Sequence, residues 1–312
     1  TIVDQTSTTA NILANDNVLD FDGANDYLLL PQAISSNLSS SLFTIEGFVK
    51  LTSYNSSNRQ VFFVARNSAA NDRCIFYIEN GSPILKVFVS QGNSIDFIGV
   101  SDEISINKWY HYALVKDGVK SFKFYVNGAL VSDDISTSSL TSIDVNQAPI
   151  MGSDYYPGPT SRSNYFSGQL DEFRIWNEAR SLTDIQNNIN NKLTGSESNL
   201  FLYYPFDQGI PGGDNSSITS VLDNAGSENA ALNNFTKNGA SSNFVANDRS
   251  ALKATPSFTI SGTTKIYGDP DFTLSVSSTS TGTITYTSSD SSVATINSST
   301  GSITITGVGT TS

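Results

Sequence analysis

Two aromatic, strand-like runs, Trp109-Tyr110-His111-Tyr112-Ala113-Leu114-Val115 and Phe122-Lys123-Phe124-Tyr125-Val126, are joined through Asp117-Gly118 and closed by Asn127-Gly128. Asp-Gly and Asn-Gly readily supply the positive φ angles of tight hairpin turns. Phe122, Phe124 and Val126 alternate with Lys123 and Tyr125, the two-residue period of a strand with two different faces. The pattern predicts a meander inside a large antiparallel sheet, and Gly168–Asn177 repeats the same grammar further on.

The rest of the chain agrees. From Val18 to Val245, short strand patterns recur between Ser-, Asn- and Gly-rich turns, as an all-β sandwich requires. One helix is expected: Ser181-Leu182-Thr183-Asp184 forms a capping box, and Ile185, Ile189 and Leu193 follow at helical spacing, so it should pack against the rim of the sandwich. Residues 1–17 form a polar lead-in, 18–246 the sandwich and 247–256 a linker. Residues 257–312 use a different vocabulary of Ser and Thr alternating with apolar residues.

These strands carry a resemblance. Leu19-Asp20-Phe21-Asp22-Gly23, Phe43–Val49, the meander, Gly168–Asn177 and Leu202-Tyr203-Tyr204-Pro205-Phe206-Asp207 together resemble the laminin-G-like, concanavalin A-like jelly roll, a relative of the pentraxins. The tail, with Tyr267-Gly268-Asp269, Thr285–Ile296 and Gly307-Val308-Gly309, is similar to the bacterial Ig-like repeats of large Bacteroidetes-type surface adhesins. An Ig sandwich needs about 100 residues, so the tail reads as a truncated repeat and the chain as a fragment of something longer. The expected fold is all-β, a jelly-roll sandwich plus a partial Ig-like β-sandwich.

The chain has 17 Lys and Arg against 29 Asp and Glu, a net charge of −12. That balance gives no footprint for nucleic acid or an anionic membrane and supplies carboxylates for hard cations. The lone Cys74 excludes an internal disulfide and reads as a small buried apolar residue. No apolar run reaches the ~18 residues of a membrane span, so no membrane insertion is expected.

Catalysis finds no support in the pattern. The hydrolases of the resembled superfamily carry a Glu-x-Asp-x-Glu strand with carboxyls ~5 Å apart, and no such cluster occurs here. Asp171 and Glu172 are adjacent on a strand and should face opposite sides. His111 lies inside a strand pattern with no triad partners, so no enzymatic activity is expected.

Calcium is the expected metal. Asp22-Gly23-Ala24-Asn25-Asp26 is an oxygen-rich turn, either a plain hairpin or a chelating loop. The resemblance implies that Asp171 anchors a structural ion beside the N-terminal segment, the alternative being a carboxylate that caps backbone amides. It also maps pentraxin calcium ligands onto Asn71-Asp72 and Asp154, with tyrosines where a glutamine and second acid would stand, so one ion or none is expected. Tyr155-Tyr156-Pro157-Gly158-Pro159 through Tyr165 reads as a stiff loop that either presents aromatic faces to sugar rings or tucks them onto the rim. Tyr155, Tyr156, Arg162 and Asn164 are its candidate ligand residues, with Asn58 and Arg59 on a second lip.

The expected function is that of a secreted or cell-surface bacterial adhesin fragment whose jelly roll binds a glycan or surface polysaccharide, with calcium assisting and other surface proteins as further partners. The alternatives are a spacer or protein-interaction module that binds no sugar, and a carbohydrate-binding appendage of a polysaccharide-degrading enzyme.

Overall fold

The computed structural model describes residues 16–69, 71–92, 94–118, 121–135, 143, 145–155, 161–249, 258–260, 265–273, 276–278 and 286–310. The chain forms two compact units, one within residues 12–253 and the other in the C-terminal region from residue 254.

The strands of the first unit are, in chain order, β1 (Asn17–Asp22), β2 (Tyr27–Leu29), β3 (Leu42–Leu51), β4 (Gln60–Arg66), β5 (Arg73–Ile78), β6 (Ile84–Gln91), β7 (Ser94–Glu103) and β8 (Trp109–Asp117). They continue with β9 (Ser121–Val126), β10 (Ala129–Ile135), β11 (Ile150–Met151), β12 (Ser167–Trp176), β13 (Leu200–Tyr204), β14 (Ser220–Val221), β15 (Ala230–Asn233) and β16 (Phe244–Ala246). One sheet has the order β10-β9-β8-β3-β12-β1-β16, with β13 also on β12, and the other β14-β15-β2-β11-β4-β5-β6-β7. The pairings between these strands are antiparallel, so the expected meander β8-β9-β10 sits at one edge of the first sheet.

Alternation decides which side chains meet between the sheets. Leu114, Phe122 and Phe124 from the meander, with Ile45, Val49, Leu170 and Phe173, pack onto Phe62, Phe63, Cys74, Phe76, Val87 and Val89 of the second sheet. Phe76 is central, its ring 5.2 Å from Tyr112, 5.9 Å from both Phe62 and Phe63 and 6.5 Å from Phe124. Cys74 is fully buried in this core.

The strand β12 departs from strict alternation. Its pairing with β3 shifts register between Asp171 and Arg174, and Glu172 adopts φ 51°, the geometry of a β-bulge. The bulge puts Asp171 and Glu172 on the same outer face, correcting the expectation that they point apart. Glu172 binds the buried Arg174 and accepts a hydrogen bond from Tyr203 at 2.8 Å, while Asp171 binds Arg249 at 3.1 Å.

The outer face of the first sheet is covered. The helix α2 (Leu182–Asn188), capped by Ser181 and Asp184 as expected, lays Ile185 on Ala113, Val115 and Tyr125, which places it on the sheet face rather than the rim. His111 lies beneath, its Nε2 3.5 Å from Glu46 Oε2. Burial opposes the Glu46 charge, but His111 and Arg174 outweigh it and hold the carboxyl down to about 2. A short helix, α1 (Ala33–Leu38), which the sequence pattern did not announce, drops Ile34 and Leu38 into the core.

The strand β1 pairs with β12 on one side and β16 on the other, with Asn17 opposite Ala246. Asn247 N then donates to Asp16 O at 3.1 Å, so the two ends of the sandwich lie side by side.

The second unit contains β17 (Phe258–Ile260) paired with β19 (Val276–Ser278), and β18 (Phe272–Thr273), β20 (Ala294–Ile296) and β21 (Ser302–Ile305) in the order β18-β21-β20. Among its described residues Ala294 and Ile303 are buried.

Candidate functional site

Three connections cross between the sheets at one end of the sandwich: β1–β2, β3–β4 and β11–β12. Each is shaped by hydrogen bonds, some within the connection and some to distant segments. In the first, Asp22 Oδ1 accepts from Ala24 N at 2.8 Å, and Asp26 accepts from Asp22 N and Ser242 Oγ, each at 2.9 Å. This fixes Gly23 at φ 77° against Ser167, where an added Cβ would come within 2.7 Å of the Ser167 Cβ. In the second, Asn55 Oδ1 accepts from Ser57 N and Asn58 N at 3.0 and 3.1 Å, an Asx-type turn. In the third, Asp154 and Ser163 exchange backbone hydrogen bonds of 2.9 and 3.1 Å, and Asn164, at φ 55°, passes its carbonyl to Val61 N at 2.8 Å.

Together they enclose a cleft of about 230 Å³ lined by Gly23, Asn55, Asn58, Arg59, Ser163, Asn164 and Tyr165. Arg59 is its anchored cation. Its Nη2 donates to Asp154 Oδ2 at 2.9 Å, and its guanidinium lies 5.5 Å from the Tyr77 ring centroid. Ser163 Oγ is buried without a hydrogen-bond partner, a state that calls for a water or ligand group. The lining therefore offers side-chain amides, a hydroxyl, a guanidinium and one aromatic ring, a set suited to a polyhydroxylated ligand.

Asn58, Arg59 and Asn164, drawn from two distant segments, are thus brought together. Tyr155 is not an exposed platform: it is 4 % exposed, its hydroxyl donates to Ala148 O, and its ring packs with Val61, Val64, Ile75, Tyr77 and Ile150. The apolar outer face of β4 and β5 draws it down, which corrects its assignment as a ligand residue. Arg162 lies 4.4 Å from the Tyr155 ring centroid and 5.0 Å from that of Tyr27. Tyr156 lies outside the described residues. Gly23 and Ser163 went unnoticed in the sequence because nothing local marks either as a neighbour of Arg59.

The anticipated calcium ligands do not converge. Asp22 and Asp26 close their own turn. Asn71 Oδ1 accepts from Asn67 Nδ2 at 2.8 Å, and Asp72 Oδ1 accepts from Gly92 N at 2.7 Å. Asp154 neutralises arginines, with Arg66 Nη1 3.7 Å from its second oxygen. Asp171 lies on the opposite sheet, where Asn247 Nδ2 donates to both Asp171 Oδ2 and Asp16 Oδ2 at 3.0 Å. Asp171 Oδ1, Asp16 Oδ1 and Asn17 Oδ1 are buried without hydrogen-bond partners, although Lys192 Nζ lies 3.9 Å from Asp16 Oδ1. Burial, reinforced by the Glu172 charge and opposed by Arg249, pushes the Asp171 carboxyl well above the usual range. Among the described residues no three His, Cys, Asp or Glu are grouped to hold a metal ion, so amide oxygens such as Asn17 Oδ1 would have to complete any coordination there. No helix among them is long and apolar enough to cross a membrane.

Residues 22–186 match the family described as the concanavalin A-like lectin/glucanases superfamily. No curated protein matches the chain. Among solved structures, a candidate carbohydrate binding protein from Bacteroides ovatus is 19% identical, with a TM-score of 0.53 over 70% of this chain and 58% of that one. The chain thus spans little more than half of that relative, and the likeness is one of fold. A heptameric pentraxin from Limulus polyphemus is 17% identical, with a TM-score of 0.44 over 56% of this chain and 83% of its own. Domain 4 of an extracellular arabinanase from Geobacillus stearothermophilus, in complex with arabinotriose, is 17% identical, with a TM-score of 0.43 over 55% and 75%.

Proposed function

The chain belongs to the concanavalin A-like lectin/glucanases superfamily, and from that premise we propose that its sandwich unit is a carbohydrate-binding module whose ligand seats in the cleft around Arg59. The observation that carries this reading is the convergence of the three crossing connections on one polar recess, with Ser163 Oγ unpartnered inside it. Arg59 and the amides of Asn58 and Asn164 hydrogen-bond sugar hydroxyls, and Tyr165 provides an apolar ring face. The rigid sandwich holds these groups in place before the ligand arrives, which limits the ordering cost of binding.

The burial of Tyr155 is what a purely structural spacer would show. A polar-lined cleft beside it is not, and favours binding. The acidic surface and the Ser/Thr-rich second unit support a role outside the cell, as part of a surface adhesin. Calcium enters this reading only at Asp171 and Asp16, where a bound ion would neutralise crowded carboxylates and stabilise the fold without touching the cleft.

The test is a glycan array with the whole chain, in calcium and in EGTA, repeated for Asn58→Ala and Arg59→Ala. Binding that both variants weaken supports the reading. An array blank in both buffers refutes it.

A further inference from the structure

The cleft opens beside an unusual concentration of positive charge. The outer face of the second sheet brings Arg59 and Arg66 to one carboxylate, Asp154, with Arg73 within electrostatic reach of it, in a chain whose net charge is −12. Each guanidinium is laid on an aromatic ring: Arg59 on Tyr77, Arg66 and Arg162 on Tyr155 at 5.7 and 4.4 Å, and Arg73 on Phe88 at 4.7 Å. Arg66 is buried and structural, with Nη1 donating to Tyr155 O. Arg59 remains partly open, its side chain 31% exposed.

Asp154 is shared between Arg59 and Arg66, and Arg73 lies close enough to feel both guanidiniums and the carboxylate. Burial and the neighbouring guanidinium charges both lower the proton affinity of Arg66 and Arg73, and Asp154 offsets this only in part. An anion arriving at the cleft relieves that repulsion. Arg59 is built to receive one. Asp154 fixes its Nη2 and Tyr77 supports its plane, while among the described residues Nε and Nη1 carry no hydrogen bond. A guanidinium held in this way presents a planar fork to a carboxylate or sulfate.

We infer that the cleft selects acidic saccharides, with Arg59 pairing the anionic group of the sugar and the flanking arginines supplying the field that draws it in. This rests on the carbohydrate-binding reading and adds the chemical class of the sugar.

The experiment is an array of acidic glycans printed beside their carboxyl-reduced or desulfated counterparts, probed with the whole chain, Arg59→Gln and Arg59→Lys. Thermal unfolding of each variant checks that it is folded. The expected result is that the anionic forms bind about tenfold tighter or more than their neutral counterparts and that added salt narrows the gap. Arg59→Gln should bring the ratio close to one, and Arg59→Lys should leave it intermediate because the charge stays but the fork is lost. The carboxyl-reduced and desulfated arms tell which anion is read. Equal binding of charged and neutral forms overturns this inference while the carbohydrate-binding reading survives. An array blank throughout overturns both.

Discussion

Arg59 Nη2 donates to Asp154 Oδ2 at 2.9 Å across a sequence separation of 95 residues, so the β3–β4 connection is fastened to the segment that follows β11. That one bond ties two walls of the cleft together and also sets the direction of its cation.

Removing Asp154 therefore has two effects. Asp154→Ala leaves Arg66 buried without its acid and should cost about 3 kcal/mol of stability, in the range for breaking a buried ion pair. Arg59→Ala, on a partly exposed side chain, should cost about 1 kcal/mol or less. Both should weaken glycan binding. Urea unfolding of the two variants, set beside their binding curves, separates the stability effect from the binding effect.

Two buried carboxyls give stability opposite slopes with pH. Burial pushes Asp26 up to about 6, against hydrogen bonds from Asp22 N and Ser242 that pull it down. A raised folded value means that the contribution of Asp26 is present below its ordinary value near 3.8 and is lost as pH rises through about 6. Glu46, held down to about 2, contributes above its ordinary 4.5 and loses that contribution as pH falls through about 2. Melting temperature against pH should therefore show a shallower decline on the rise to pH 6 in Asp26→Asn than in the parent, and weaker acid sensitivity below pH 4.5 in Glu46→Gln. The Glu46 variant should also lose about 3 kcal/mol near neutrality, because Arg174 and His111 stay buried beside it.

Calcium should raise the melting temperature through preferential binding to the folded state, and Asp171→Asn should remove that rise. The same variant should leave the glycan profile unchanged, since Asp171 lies on the other sheet. A rise that survives Asp171→Asn would move the ion elsewhere, and no rise in the parent would remove calcium from the account.

Gly152 tests how tightly the β11 exit is built. It sits at φ 89°, and an added Cβ would lie 2.4 Å from the Phe21 ring and 3.1 Å from Asp26 O. Gly152→Ala combines a strained backbone with overpacking and should cost about 3 kcal/mol by denaturant unfolding.

The strands were legible because alternation is a local signal. Phe122 and Phe124 announced the inner face of β9, and Ser181 with Asp184 announced the start of α2. The bulge at Glu172 was not legible, because it arises where β12 passes from pairing with β1 to pairing with β13, and that exchange of partners is a long-range event. Tyr155 was misplaced for a related reason. A proline-rich loop reads as exposed, yet the Val61, Val64 and Ile75 surface that receives the ring belongs to strands far away in sequence. Asn58, Arg59 and Asn164 were recognised by residue type alone. That they share a cleft with Gly23 and Ser163 is a property of the topology, where three crossings fall at one end of the sandwich.

The pairing of β1 with β16 has a mechanical meaning. Asn17 faces Ala246, so tension pulling the chain away on both sides of the sandwich would act on the same end of one antiparallel pair. Such a load peels the strands apart one hydrogen bond after another, where a sheared pair would have to break several at once. Under tension the β1–β16 seam would be the first to yield, and the unit would lengthen there at low force while β12, gripped by β1, β3 and β13, still held.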